Sequence, residues 1–221
     1  MTKIFSLFLL FPCFALADDA SVLAAVHSQA PKVAQVIWVQ PTTTPTSTAQ
    51  LWTYDGHQWM KRGSQFAVVV GHNGTTPALN KFEGDGKTPE GLYPLVELFG
   101  RGPRSGLKMT YNMIDSNDKW VDDQTSPNYN QWVRGDTAAK SFENLLRADT
   151  DYDLFAVIGY NMKPIVPGKG SAIFMHIWTT PDKGTSGCVA MDPKQLGRVI
   201  DWLDTKSEPS ILIGNLKILP K

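Results

Sequence analysis

Short, evenly punctuated runs of strand character constrain this chain most. Residues 33–39 are apolar and β-branched, and residues 50–54 read as a second strand ended by an Asp55-Gly56 turn. Residues 59–61 and 66–70 predict two more, separated by Arg62-Gly63 and stopped by Gly71. The same character returns over 93–99, where Pro94 interrupts it, and over 108–114, 154–160, 171–178 and 210–213. Only two stretches carry a helical period. In 137–148, Ala138, Phe142, Leu145 and Leu146 share a face, with Asp136 as cap and Lys140, Glu143 and Arg147 in solvent. In 193–203, Pro193 takes the first position after an Asp192 cap, and Leu196, Val199, Ile200 and Leu203 face the core. Short strands outnumber helices, which predicts a sheet-dominated α+β domain over 33–221. Residues 18–32 form a leader to it, as a short helix or a loose trail. Residues 41–49, rich in Thr, Ser and Pro, read as a loop or an external hairpin connection. The long polar segment 115–135 carries Trp120, Val121, Tyr129, Trp132 and Val133, which either pack it onto the domain or line a groove.

The first residues do not read as part of that domain. Lys3 precedes an apolar run over 4–11 broken only by Ser6, and Ala15-Leu16-Ala17 fits a small-x-small cleavage site. That order predicts a signal peptide over 1–17. The run is too short for a membrane-crossing helix, and Pro12 before Cys13 fits lipidation poorly. The protein is therefore expected to be exported, periplasmic, wall-associated or secreted, with no stable membrane insertion after cleavage. The 21 basic and 21 acidic residues balance, and no long basic run is present. Nucleic acid is not an expected partner.

Cysteine usage carries more. Cys13 leaves with the signal peptide, and Cys188 remains alone. Exported proteins usually hold cysteines in pairs, so a single one is either a small buried hydrophobe or a reactive group. Its neighbours favour chemistry. His176 sits on or just after the apolar strand 171–178, twelve residues upstream, and the intervening Thr, Gly and Pro permit a tight return. An imidazolium beside the thiol would favour the thiolate, which is the attacking species. The same ring could then protonate a leaving amine. The amides of Gly187 and Cys188 are candidates for holding an oxyanion, with Ser186 and Thr185 shaping the site. The other histidines, His27, His57 and His72, form no metal spacing with Cys188, although His72 ends a strand and could approach the site.

Three features resemble one family, the bacterial L,D-transpeptidase catalytic domains, also called YkuD-like. Asp85-Gly86-Lys87-Thr88-Pro89-Glu90-Gly91-Leu92-Tyr93 is similar to its Thr-Pro-x-Gly segment before an aromatic residue. His176 resembles its upstream catalytic histidine. Thr185-Ser186-Gly187-Cys188 resembles its Ser/Thr-His-Gly-Cys motif, with Ser186 in place of the usual histidine and a shorter His–Cys interval. The resemblance implies a mainly-β barrel or sandwich with peripheral helices, and no metal or organic cofactor. It implies that Cys188 attacks the bond between the diamino acid and terminal D-alanine of a peptidoglycan stem tetrapeptide. A thioester would follow, released by an amine as a 3–3 cross-link or by water as a tripeptide. A non-catalytic wall-binding protein on the same scaffold and another cysteine amidase or acyl-transferase are the alternatives. The ring of His176 needs a partner, and the family often uses a carbonyl just after the histidine. Ile177 supplies one, with Ser186, Thr185 or Asn161 as spatial candidates. Lys87, Arg134, Asn161 and Trp178 are candidate substrate contacts.

Overall fold

A computed structural model describes residues 19–215; the expected signal peptide over 1–17, with Cys13, lies outside the described residues. The chain opens with helix α1 (Asp19–Gln29), then strands β1 (Gln35–Thr43), β2 (Thr46–Tyr54) and β3 (Trp59–Val69). β4 (Thr75–Pro77), β5 (Thr88–Gly100) and β6 (Tyr111–Met113) follow. Next come three short strands, β7 (Asp118–Val121), β8 (Trp132–Arg134) and β9 (Phe142–Asn144). The chain finishes with β10 (Leu154–Ile158), β11 (Phe174–Ile177), β12 (Val189–Met191), α2 (Pro193–Trp202) and β13 (Ser210–Ile213). None of the described helices is long and apolar enough to cross a membrane.

Eight strands close into a barrel in the order β5, β10, β11, β12, β3, β2, β1, β13 and back to β5. β5 makes closure possible because it is long. Its first half pairs with β13, as in Tyr93 with Ile211, and its second half with β10, as in Phe99 with Phe155. Pro94 sits at the change of partner, where Leu95 N–H donates to Pro209 O and Gly159 N–H to Pro94 O. The strand therefore continues through a residue that the sequence reads as an interruption. Closure leaves no open edge along these eight strands.

Alternation along the strands sends side chains into different cores. One set, including Ile37, Val39, Leu98, Ala156, Met175, Ile177, Val189, Met191 and Ile213, fills the barrel with Leu196, Val199 and Ile200 of α2. The helix is capped as expected: Asp192 accepts from Lys194 N–H and Gln195 N–H. On the outside, Val36, Trp38, Trp52 and Leu212 receive Val22, Leu23 and Val26, which is why the leader is helical rather than loose. Elsewhere on the outside, Phe99, Phe155, Val157, Phe174 and Cys188 pack with Ile114, Trp120, Leu145 and Tyr152.

Three expectations are corrected. Residues 137–148 form no helix. Phe142, Glu143 and Asn144 instead pair with Val121, Trp120 and Lys119 of β7, and Leu145 is fully buried. Ala138, Phe142, Leu145 and Leu146 suit a helix by spacing, but propensity is a weak prior, and non-local pairing with burial of Leu145 outweighs it. Asp136 caps nothing there; Asp123 holds the segment by accepting Lys140 N–H at 2.8 Å. Arg62-Gly63 does not separate two strands either. The pairing shifts opposite Gln50, whose amide donates to the Leu51, Arg62 and Gly63 carbonyls, and Gly63 takes a positive φ of 65°. That is a bulge inside one strand. Residues 41–49 are mostly strand, because β1 and β2 pair through Thr43 and Thr46.

The small sheet β8-β7-β9 lies over the outer core. Polar side chains anchor it. Asp118, fully buried, accepts from Asp115 N–H at 2.7 Å and from the Trp132 indole at 2.9 Å. Asn130 accepts from Trp120 and Ala172 N–H and donates to the Tyr160 and Asn161 carbonyls. It ties the small sheet to the chain leading into β11.

Candidate active site

β11 and β12 run parallel, with His176 opposite Ala190 and Met175 opposite Val189. Since Met175, Ile177, Val189 and Met191 point into the barrel, Phe174, His176, Cys188 and Ala190 point out. His176 and Cys188 thus share one face of adjacent strands. Both line a pocket of about 290 Å³ between the barrel wall and the small sheet.

The cysteine loop is held from below. The Cys188 carbonyl accepts from Thr185 Oγ1 at 2.7 Å and from Thr88 Oγ1 at 3.1 Å. Thr88 in turn accepts from Gly71 N–H at 2.8 Å. The glycine-rich segment 83–91 is therefore a support for the loop that carries Cys188. A buried ion pair, Lys81 Nζ to Asp85 Oδ1 at 2.6 Å, fixes it, and Lys87 N–H also donates to that carboxylate. Burial alone would raise the pKa of Asp85, but Lys81 and the backbone donors hold it below the usual value. Gly187 has φ 148°, and a Cβ there would stand 3.0 Å from the Lys87 carbonyl and 3.1 Å from Ile173. Only glycine fits both restraints. Its amide donates to Thr185 Oγ1 at 3.1 Å. Gly187 thus shapes the pocket, and of the two amides named as oxyanion candidates its own is bonded to Thr185 in this structure.

The resting electrostatics also differ from expectation. Cys188 Sγ donates to the Ala172 carbonyl at 3.3 Å and accepts from Phe174 N–H at 3.4 Å. Burial pushes the thiol up to about 12, and the Glu143 carboxylate adds to the rise. His176 Nδ1 lies 2.7 Å from the Ile177 carbonyl. A carbonyl only accepts, so Nδ1 carries the hydrogen and Nε2 is the basic nitrogen of the neutral ring. Burial lowers the pKa of this imidazole, and the Ile177 carbonyl opposes the shift. Burial thus favours the thiol and the neutral imidazole over a thiolate–imidazolium pair, and the Sγ contact to the Ala172 carbonyl suits a thiol. Of the candidate partners for the ring, the structure selects Ile177.

Trp178, Thr185, Ser186 and Gly187 line the same pocket as Cys188 and His176. The other three candidates serve elsewhere. Asn161 donates to the Val166 and Gly170 carbonyls and accepts Val166 N–H, stapling its own loop. Arg134 pairs with Asp115 and Asp118 on the small sheet. The backbone of Lys87 contacts Asp85 and faces Gly187, but its side chain is not part of the pocket lining. His72 binds the Thr185 carbonyl through both its amide and Nδ1, outside that lining.

Sequence reasoning missed the opposite wall. Glu143, Arg147 and Tyr152 line the pocket, as do Glu83 and Asp122. Tyr152 donates to Glu143, and Tyr129 and Ser171 donate to Glu83. Burial, foremost, raises the pKa of Glu143, and the charges of Asp122 and Glu83 act the same way. Glu143 and Arg147 were hidden by the helix expected over 137–148, which put both in solvent. A strand reading of 142–144 was the signal available. Among the described residues, no group of three His, Cys, Asp or Glu side chains is arranged to hold a metal.

Residues 34–213 match the model of the YkuD family, described as the L,D-transpeptidase catalytic domain. No curated protein matches the chain, and no solved structure does.

Proposed function

Because the chain belongs to the YkuD family of L,D-transpeptidase catalytic domains, a family of cysteine enzymes that modify peptidoglycan, we propose that Cys188 is its nucleophile and His176 its base, acting on stem tetrapeptides. The observation that carries this reading is the sharing of one pocket by His176, on β11, and Cys188, immediately before the parallel β12. Cys188 is also the free cysteine of the described chain.

The resting protonation sets the order of events. A neutral thiol is a weak nucleophile, so proton transfer accompanies attack. As sulfur approaches the carbonyl of the diamino acid, the thiol proton passes to Nε2 of His176, while Nδ1 stays bonded to the Ile177 carbonyl. The imidazolium then returns the proton to the departing D-alanine amine. The carbon–nitrogen bond breaks and a thioester remains on Cys188. In the second half, an acceptor amine gives its proton to the same nitrogen and takes the acyl group, forming a 3–3 cross-link. Water in that place gives a tripeptide. Arg147 and Lys183 line the pocket together with Glu83 and Asp122, a mixture of charge that suits a peptide carrying both carboxylate and ammonium groups.

The deciding experiment incubates the protein with defined tetrapeptide muropeptides and measures product masses. We expect loss of D-alanine and an acyl adduct on Cys188; folded protein with neither outcome rejects the reaction. A wall-binding protein is the competing reading, favoured by the protonated, buried thiol and by Ser186 in the usual histidine position. Sedimentation with purified peptidoglycan, without turnover by parent or Cys188→Ala, would select it. We further propose export through removal of residues 1–17. Intact mass of the protein recovered from outside the cytoplasm tests this, and a retained Met1 terminus there rejects it.

A further inference from the structure

The reaction above leaves one buried titratable group of the pocket unused. Tyr152 lies in the turn before β10 and is 6% exposed. Its ring meets His176 edge to face, with centroids 5.4 Å apart and planes at 77°. The same ring meets Phe174 at 5.6 Å and 81°, and leans on Phe155 at 5.1 Å. The Arg147 guanidinium stands 5.0 Å from the ring centroid and is itself held by two hydrogen bonds to Asp149. The Tyr152 hydroxyl donates to Glu143. The turn is also tied to the strand of the base, because Ile177 N–H donates to the Asp151 carbonyl at 3.1 Å.

His176 needs such a wall. Its bond to the Ile177 carbonyl fixes which nitrogen carries the hydrogen, but one bond at one ring atom leaves the ring free to tilt about it. We propose that Tyr152 is a positioning residue for His176: its ring, wedged against Phe155 and Phe174 and crossing the imidazole nearly at right angles, sets the plane of the imidazole. Edge-to-face contact suits this role, since it is directional where aliphatic packing is not. Burial keeps the phenol protonated well above its ordinary range, so the hydroxyl remains a donor. The inference rests on His176 being the base of the proposed reaction.

Four variants test it: Tyr152→Phe, Tyr152→Leu, Glu143→Ala, and Glu143→Ala combined with Tyr152→Phe. Thermal unfolding, kcat and KM on tetrapeptide, and the pH profile of iodoacetamide alkylation at Cys188 are read for each. Tyr152→Phe keeps the ring and stays close to the parent in all three. Tyr152→Leu folds, loses about 100-fold in kcat with KM nearly unmoved, and loses the part of the alkylation profile that depends on His176. Should Tyr152→Leu not fold, the Glu143 pair decides. Glu143→Ala leaves the hydroxyl unpaired and lowers kcat, and adding Tyr152→Phe restores it at fixed pocket charge. Tyr152→Leu with parental kcat and profile overturns the proposal. So does failure of that restoration, or an equal loss in the Phe and Leu variants with an unchanged alkylation profile. Alkylation needs no substrate. A parent that turns over no tetrapeptide therefore sinks the peptidoglycan reading, while the alkylation comparison still judges Tyr152.

Discussion

The two walls of the pocket are built by opposite means. The β11–β12 wall is backbone: parallel strands inside a closed barrel, one face filling the interior and the other presenting His176 and Cys188. The facing wall is a three-stranded sheet whose strands are three or four residues long, and side chains hold it, with Asp118 and Asn130 as its anchors. The first wall carries the pair that the proposed reaction uses, and the second brings the carboxylates of Glu143 and Asp122 to the pocket. The contrast teaches that backbone pairing places the sulfur and the imidazole, while side chains of the facing wall act on their charge and orientation. Substitutions should therefore sort by wall.

Cys188→Ala should separate chemistry from fold most sharply. Turnover falls below detection, while the unfolding midpoint moves little, since a thiol making weak sulfur hydrogen bonds is exchanged for a methyl group. Residual turnover in a clean preparation would assign the chemistry elsewhere. Next in size is Asp118→Ala, aimed at the second wall. It strips the Trp132 indole and the Asp115 amide of their buried acceptor, at a cost of about 3 kcal/mol in chemical denaturation. Cys188 alkylation should change far less than stability; equal damage to both would show that the walls are not independent. Thr88→Val tests the first wall from beneath. It removes one of two donors to the Cys188 carbonyl and the acceptor of Gly71 N–H, costing about 1–2 kcal/mol and slowing acylation more than Asp118→Ala does. The smallest effect belongs to Arg134→Ala. That side chain is 53% exposed, so its ion pairs contribute below about 1 kcal/mol, and KM for tetrapeptide should not move. A raised KM would return Arg134 to the substrate.

The pH dependence follows from the burial of His176. The folded-state pKa of His176 is lowered by burial, so its ring stays neutral below the unfolded value of about 6.5. The unfolded chain binds the extra proton, and the stability contributed by the neutral ring is lost as pH falls below 6.5 toward the folded pKa. Turnover that needs Nε2 unprotonated should correspondingly persist below pH 6.5. An acid limb centred at or above 6.5 in kcat/KM would contradict the burial of this ring.

The walls also differ in how far they could be read from residues. Residues 210–213 and the Asp192-capped helix over 193–202 are legible because their side chains obey one period and carry local stop signals. His176 and Cys188 are legible through the motif that surrounds the cysteine. The parallel pairing that joins them is not, because β12 is three residues long and is held on its other side by β3, far away in sequence. Glu143 was lost because Phe142 and Leu145 satisfy a helical stripe, and only Trp120, more than twenty residues away, reveals that the segment pairs as a strand. The direction of the Gly187 amide was not legible because it depends on one hydroxyl, that of Thr185.

Closure of the barrel has a consequence for how such a protein can diversify. Since the nucleophile looks outward and the interior is sealed independently, the excursion from 115 to 148 can be regarded as a cassette mounted on a finished scaffold. Grafting a different excursion there would alter which molecules are admitted without disturbing the hydrophobic filling behind the sulfur. A lineage with this layout can change diet without relearning how to fold.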